Sequence, residues 1–158
     1  MMPKSITVGE LLNNEHYVQV TGDEKSLERP IYVAEINRPG FELAGFFKHS
    51  DFRRIIIFGD KESAFINEMS EERQREIFPF LINDEVPCII VAKGNECPAI
   101  LIEIARKKDF PIFITESATG RVSIELTNIL DEALAPETLI HGVFLNIYGK
   151  GVIIKGDS

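Results

Sequence analysis

The stretch Arg54-Ile55-Ile56-Ile57-Phe58-Gly59-Asp60 decides the fold. Its four apolar residues run without alternation and stop at a glycine, the pattern of a strand covered on both faces. Two similar runs follow, Pro87-Cys88-Ile89-Ile90-Val91 and Pro111-Ile112-Phe113-Ile114-Thr115. Between and after them the apolar spacing changes from continuous to helical. Asp60 is a plausible N-cap for a stripe of Ala64, Phe65 and Met69. Ser70-Glu71-Glu72 starts a second helix, with two acids at the positive end of its dipole. Ile77, Phe80 and Leu81 form that helix's inner face, and Pro79 should bend or shorten it.

After Gly94, Pro98 suits the first position of the next helix, whose inward residues are Ile100, Leu101, Ile104 and Ala105. Arg106, Lys107 and Lys108 crowd its C-terminus, where the dipole favours cations. The clearest helix has Val122, Leu126, Ile129, Leu130 and Ala133 on one face. Ala135-Pro136-Glu137 closes it and marks a domain boundary. Three successive strand–helix units predict an α/β domain of three layers, a partly parallel (mixed) sheet flanked by helices.

Upstream, Val8, Leu11 and Leu12 predict one short helix within Thr7 to Asn14. Tyr17-Val18-Gln19-Val20 reads as a strand, and Pro30 to Ile36 as another near a sheet edge. Asn37-Arg38-Pro39-Gly40 is a turn by chemistry, with Arg38 solvated or salt-bridged. Phe41 to Phe47 fits either a strand or a short helix, and His49 reads as a surface residue.

A length of 158 residues suits one domain able to bury roughly two-thirds of its unfolded surface. Hydrophobic content of 44% and charged content of 27% are ordinary for a globular protein. The formal net charge of −8 argues against nucleic acid or an anionic membrane as main partner. No apolar run reaches the roughly 20 residues of a membrane span, and the N-terminus lacks a secretory pattern. A cytoplasmic location is therefore expected. Cys88 and Cys97 form no C-x-x-C motif, so neither a disulfide framework nor zinc is expected. Cys88 reads as a small buried hydrophobe. No Ser-His-Asp or H-E-x-x-H arrangement occurs, and Ile154 stands where a dinucleotide fingerprint would need its third glycine.

The tail, Leu139 to Ser158, carries the functional signal. Val143–Tyr148 and Gly151–Lys155 flank Gly149-Lys150-Gly151, which predicts a β-hairpin. The second run leads into Gly156-Asp157-Ser158, as a strand leads into a phosphate-binding loop. Taken alone, Gly-Asp-Ser is also ordinary turn chemistry.

Together, Ala135-Pro136, His141-Gly142-Val143, Tyr148-Gly149-Lys150-Gly151 and Gly156-Asp157-Ser158 resemble the entry to the catalytic domain of the bacterial HPr kinase/phosphorylase family. Arg29-Pro30, Asn37-Arg38-Pro39-Gly40, Leu43-Ala44-Gly45 and the runs at 87–91 and 111–115 resemble that family's N-terminal domain. The resemblance implies a regulatory or assembly domain over residues 1–135. Residues 136–158 would then be the first strands of a P-loop kinase domain, cut within the nucleotide loop. It implies an enzyme that phosphorylates a serine of the phosphocarrier protein HPr with ATP or pyrophosphate and Mg²⁺. The same site would remove that phosphate by phosphorolysis, serving carbon catabolite repression. It assigns His141 to the active site and Gly156, Asp157 and Ser158 to nucleotide phosphate, with a homohexamer as the assembly. No metal ligand is expected within the chain. Lacking the loop's lysine and hydroxyl, these 158 residues alone are expected to be inactive and to hold no nucleotide tightly. A stand-alone small-ligand or oligomerisation module is the competing expectation.

Overall fold

The computed structural model describes residues 3–136. Chain order begins with β1 (Ile6–Thr7) and α1 (Val8–Leu11), β2 (Val18–Thr21) and a 3-10 helix at Glu24–Glu28. Next come β3 (Pro30–Ile31), β4 (Ile36–Asn37), α2 (Gly40–Leu43), β5 (Ile55–Phe58), α3 (Asp60–Glu68) and α4 (Glu71–Leu81). The rest is β6 (Ile89–Val91), α5 (Ala99–Lys108), β7 (Ile112–Ile114) and α6 (Thr119–Ala133).

The main sheet has the order β2-β7-β6-β5-β4. Strands β4 to β7 are mutually parallel, and β2 joins the β7 edge antiparallel. In register, Ile56 faces Ile89, which in turn faces Ile112. Every side chain of β5 and β6 is buried, as the unbroken apolar runs foretold. Ile56 and Phe58 point into one core with Ile66 of α3, Phe78 of α4 and Leu101 of α5. Ile55, Ile57 and Ile90 point into the other with Val8 of α1 and Val122, Leu126 and Leu130 of α6. Each such side chain contributes roughly 1.5–3 kcal/mol of burial energy, so neither helical layer is dispensable. The mixed, three-layer α/β arrangement is the expected one.

Several details differ from the sequence reading, each for a local reason. Residues 30–36 are not one strand. Ile31 pairs with Ile6 in a separate two-stranded sheet, and Ile36 pairs with Ile55 in the main one. Phe41 to Phe47 opens as the short helix α2. Gly59 rather than Asp60 caps α3, and Pro98 caps α5 instead of opening it. The buried face of α3 is Glu62, Ile66 and partly buried Met69, whereas Ala64 and Phe65 face solvent. A charged residue held on the inner face rotated the stripe away from its apolar neighbours. Phe80 and Ile129 are exposed, and Phe78 takes the inner position in α4. Helix α4 runs two residues past Pro79 and ends there. Among the described residues, no helix is long and apolar enough to cross a membrane. The expected tail hairpin and phosphate loop lie outside the described residues.

Candidate functional site

In open α/β sheets ligands gather at the carboxyl ends of the parallel strands. Four loops meet at that edge here, after β4, β5, β6 and β7. Strand β4 ends in an inverse γ-turn, with Pro39 at φ −84° and ψ 54° and Gly40 N–H donating to Arg38 O at 2.9 Å. Arg38 then lies over the end of β5. Its Nε and Nη2 donate to Glu62 Oε1 at 3.0 and 2.8 Å. The same oxygen accepts the Gly59 N–H at 2.6 Å, satisfying an amide at the start of α3. The Glu62 side chain is 7% exposed and that of Arg38 40%, so a buried carboxylate is held by a half-open cation. A Cβ on Gly59 would lie 2.6 Å from Thr119 Oγ1 and 2.7 Å from Arg38 Nη2, so these loops approach closely.

Beside this network, Asp60 accepts from Lys93 Nζ at 2.7 Å and Asn95 Nδ2 at 3.0 Å. The Lys93 hydrogen bond, then that of Asn95, holds its carboxyl below the usual carboxylate range. The loop Ala92-Lys93-Gly94-Asn95 is a tight turn closed by Asn95 N–H on Ala92 O at 3.2 Å. Lys93 and Gly94 have φ of +61° and +69°, the mirror-image turn that glycine eases. Lys93 N–H donates to Ser117 O and Gly94 N–H to Thr115 O, lacing this loop to the one after β7.

Four charged side chains of the carboxyl edge are thus paired off, Arg38 with Glu62 and Lys93 with Asp60, while Glu116 after β7 joins none of the ion pairs among the described residues. No group of three His, Cys, Asp or Glu side chains placed to hold a metal ion occurs among the described residues. Next to it, between α3, α4 and the start of α5, lies a cleft of about 520 Å³ lined by Ser63, Asn67, Gln74, Asn95 and Cys97. Burial pushes the Cys97 thiol up to about 12. Cys88 is fully buried, with its thiol likewise pushed up to about 12, in keeping with the hydrophobe read from the sequence.

The opposite edge is organised by Arg29, whose weight the sequence did not reveal. Its Nη2 donates to the Asn83 and Val86 carbonyls, both at 2.6 Å. Its Nε reaches the Pro87 and Val86 carbonyls at 3.2 and 3.3 Å. The guanidinium also lies 4.9 Å from the centroid of the Phe110 ring. Desolvation lowers its pKa, with too little effect on an arginine to discharge it.

Of the residues singled out by sequence, Arg38 is salt-bridged as read, and His49 is exposed in the left-handed region at φ +67°. His141, Gly156, Asp157 and Ser158 lie outside the described residues. Glu62 was missed, although a carboxylate four residues before Ile66 on the buried face was its signal. Arg29 was noticed only as half of an Arg-Pro pair.

Comparison with known proteins agrees with the resemblance drawn from the motifs. The family described as "HPr Serine kinase N terminus" matches residues 6–130. Curated relatives named HPr kinase/phosphorylase, from Bacillus cereus strains AH820 and B4264, are 36% identical over 157 residues. That alignment takes in 99% of this chain and 50% of each relative, so the chain spans about half their length. A solved structure of the CBS and DRTGG domains of the regulatory region of Clostridium perfringens pyrophosphatase, complexed with the activator diadenosine tetraphosphate, is similar in fold. Its TM-score is 0.53 at 16% identity, over 90% of this chain and 59% of that one. With residues 6–130 matched and near-complete alignment to these relatives, the chain belongs to the HPr serine kinase N-terminus family.

Proposed function

We propose that this chain is the N-terminal portion of a bifunctional HPr kinase/phosphorylase. In this reading the enzyme phosphorylates a serine of HPr with ATP or pyrophosphate and reverses the reaction by phosphorolysis, in cytoplasmic carbon catabolite repression. The observation that carries it is the 36% identity to enzymes of that name across 99% of the chain. Residues 1–135 act as the regulatory or assembly domain, a division supported by the match of the N-terminus family to residues 6–130. Residues 136–158 open the kinase domain.

His141 then sits beside the transferred phosphoryl group, where an imidazole of pKa near 6.5 can stabilise charge or carry a proton. The backbone N–H groups of Gly156, Asp157 and Ser158 line the start of the phosphate cradle, which in the full-length enzyme holds ATP or pyrophosphate with Mg²⁺. The full-length enzyme assembles as a homohexamer.

The test is phosphate transfer to HPr. The 158-residue chain with HPr, ATP and Mg²⁺ is expected to give no phosphoserine. The gene product extended through a complete glycine loop should give it, and His141→Ala in that form should lower the rate by about 10²-fold or more. An extended product that never phosphorylates HPr overturns the reading. Full activity in the His141→Ala form removes that residue from the mechanism and leaves the rest standing.

A further inference from the structure

The cleft of about 520 Å³ between α3, α4 and the start of α5 is used by neither the core nor the ion pairs of the carboxyl edge. Its volume falls within the roughly 300–1,000 Å³ of small-molecule sites. Ile66 on α3 and Ile100 on α5 belong to the core, at 2% and 8% exposure, and give the cleft an apolar base. Its walls are tied together, since Arg75 on α4 donates to both oxygens of Glu103 on α5 at 2.7 and 3.2 Å.

Two amide side chains in the wall are fixed in orientation. Asn95 Nδ2 donates to Asp60 Oδ1 at 3.0 Å and to Ala92 O at 2.9 Å. Gln74 Nε2 donates to the Ile66 and Met69 carbonyls at 3.4 and 3.3 Å. With acceptors facing each NH₂ group, the other end of each amide is the oxygen, and neither oxygen meets a donor among the described residues. Charge then narrows the ligand from both sides. No Lys, Arg or His lines the cleft, whereas Glu71 and Glu96 do and join none of the ion pairs among the described residues. A phosphate or carboxylate is therefore repelled. Pro98 caps α5 without a side-chain hydrogen bond, so the first-turn amides at Ala99 and Ile100 keep a partial positive charge that disfavours an ammonium. What remains is a neutral molecule whose groups both donate and accept.

We propose that this cleft binds a neutral polyhydroxylated small molecule, an unphosphorylated sugar or its polyol. Its hydroxyls donate to the Gln74 and Asn95 oxygens and accept from the first-turn amides of α5. Its C–H face lies on Ile66 and Ile100. A hydroxyl is donor and acceptor at once, which is why this class suits a wall that holds both. The site rests on the described residues alone and is independent of the kinase reading.

The probe is a panel of neutral mono- and disaccharides with their reduced alcohols, each titrated to about 20 mM into the isotope-labelled full chain and followed by amide NMR. Saturable shifts of the Asn95, Ala99 and Ile100 backbone amides and of the Gln74 side-chain amide are expected for at least one member. Gln74→Leu deletes a free oxygen and should weaken that binding about tenfold. Asn67→Trp, which sets a bulky ring in the wall, should abolish it. Asn67 is exposed and makes no side-chain hydrogen bond among the described residues, so this variant decides the matter should Gln74→Leu lower the thermal midpoint. A panel that leaves these resonances unmoved overturns the proposal, as does binding that both variants leave intact. Tighter binding of the matching sugar phosphates, or of spermidine, at the same amides overturns it too and gives the cleft to an anion or a cation.

Discussion

Two arginines hold the two edges of the same sheet, and they do it differently. Arg29 at the amino edge spends its donors on the backbone carbonyls of Asn83, Val86 and Pro87 and lays its face near Phe110. Arg38 at the carboxyl edge puts two donors on one oxygen of one side chain, Glu62. Backbone acceptors cannot swing away, so the first arrangement is as rigid as the fold. The second depends on a side-chain pair whose cation is 40% exposed, so water and ions compete for it. A sheet edge built on carbonyls is structural, and one built on exchangeable pairs leaves room for evolution to place ligands.

The sharpest way to break this contrast is Arg29→Ala, which strands several carbonyls and removes the cover of Phe110. We expect a loss of about 3 kcal/mol by urea unfolding at neutral pH, with Arg29→Lys recovering only part because an ammonium lacks the fork. A loss under about 1 kcal/mol would mean that the carbonyls are readily resolvated and the contrast is false.

Next in size is Glu62→Ala, expected to cost about 2 kcal/mol by orphaning the Gly59 amide and freeing Arg38. Arg38→Ala should cost less, about 1 kcal/mol, since Glu62 keeps its amide partner and the site is open enough for water. Equal costs would show that the ion pair, not the amide, is what matters at this edge.

The smallest effect belongs to the exposed pair Arg53–Asp51. The Arg53 side-chain hydrogen bonds chiefly hold the Asp51 carboxyl down at about 2, against an ordinary value of 3.8. A pKa depressed in the folded state adds stability at pH values above 3.8, and that stability fades as the pH drops towards 2. Asp51→Asn should therefore cost up to about 1 kcal/mol at neutral pH, with the difference from wild type vanishing near the bottom of that window. A difference that stays constant with pH would locate the contribution in packing rather than charge.

These arginines also show what was legible in the chain. The triple isoleucine at residues 55–57 and the runs at 89–91 and 112–114 announced a buried parallel sheet, because only strands covered on both faces lose all alternation. Val122, Leu126 and Leu130 announced the helix covering one side of it. Glu62 misled the reading of α3, since a periodicity search scores a carboxylate as outward until its partner, distant in sequence, is known. Arg29 was opaque for the same reason, as its acceptors are main-chain atoms and have no residue type. The short strands β3 and β4 were merged because a two-residue strand is defined by its neighbours and not by its own composition. The candidate site at the carboxyl edge followed from topology, and the pairing there of Arg38 with Glu62 and of Lys93 with Asp60 did not.

Strand β2, residues 18–21, has its main-sheet partner in β7, residues 112–114. A ribosome releases the first of these long before the second. Throughout that interval Val18 to Thr21 waits without its ladder, and the isoleucine-rich strands between emerge with one flank uncovered. Final closure falls to α6, the last described helix to leave the exit tunnel. Synthesis of this domain should thus be most vulnerable to clumping, and most attractive to a holding chaperone, just before residue 119 appears.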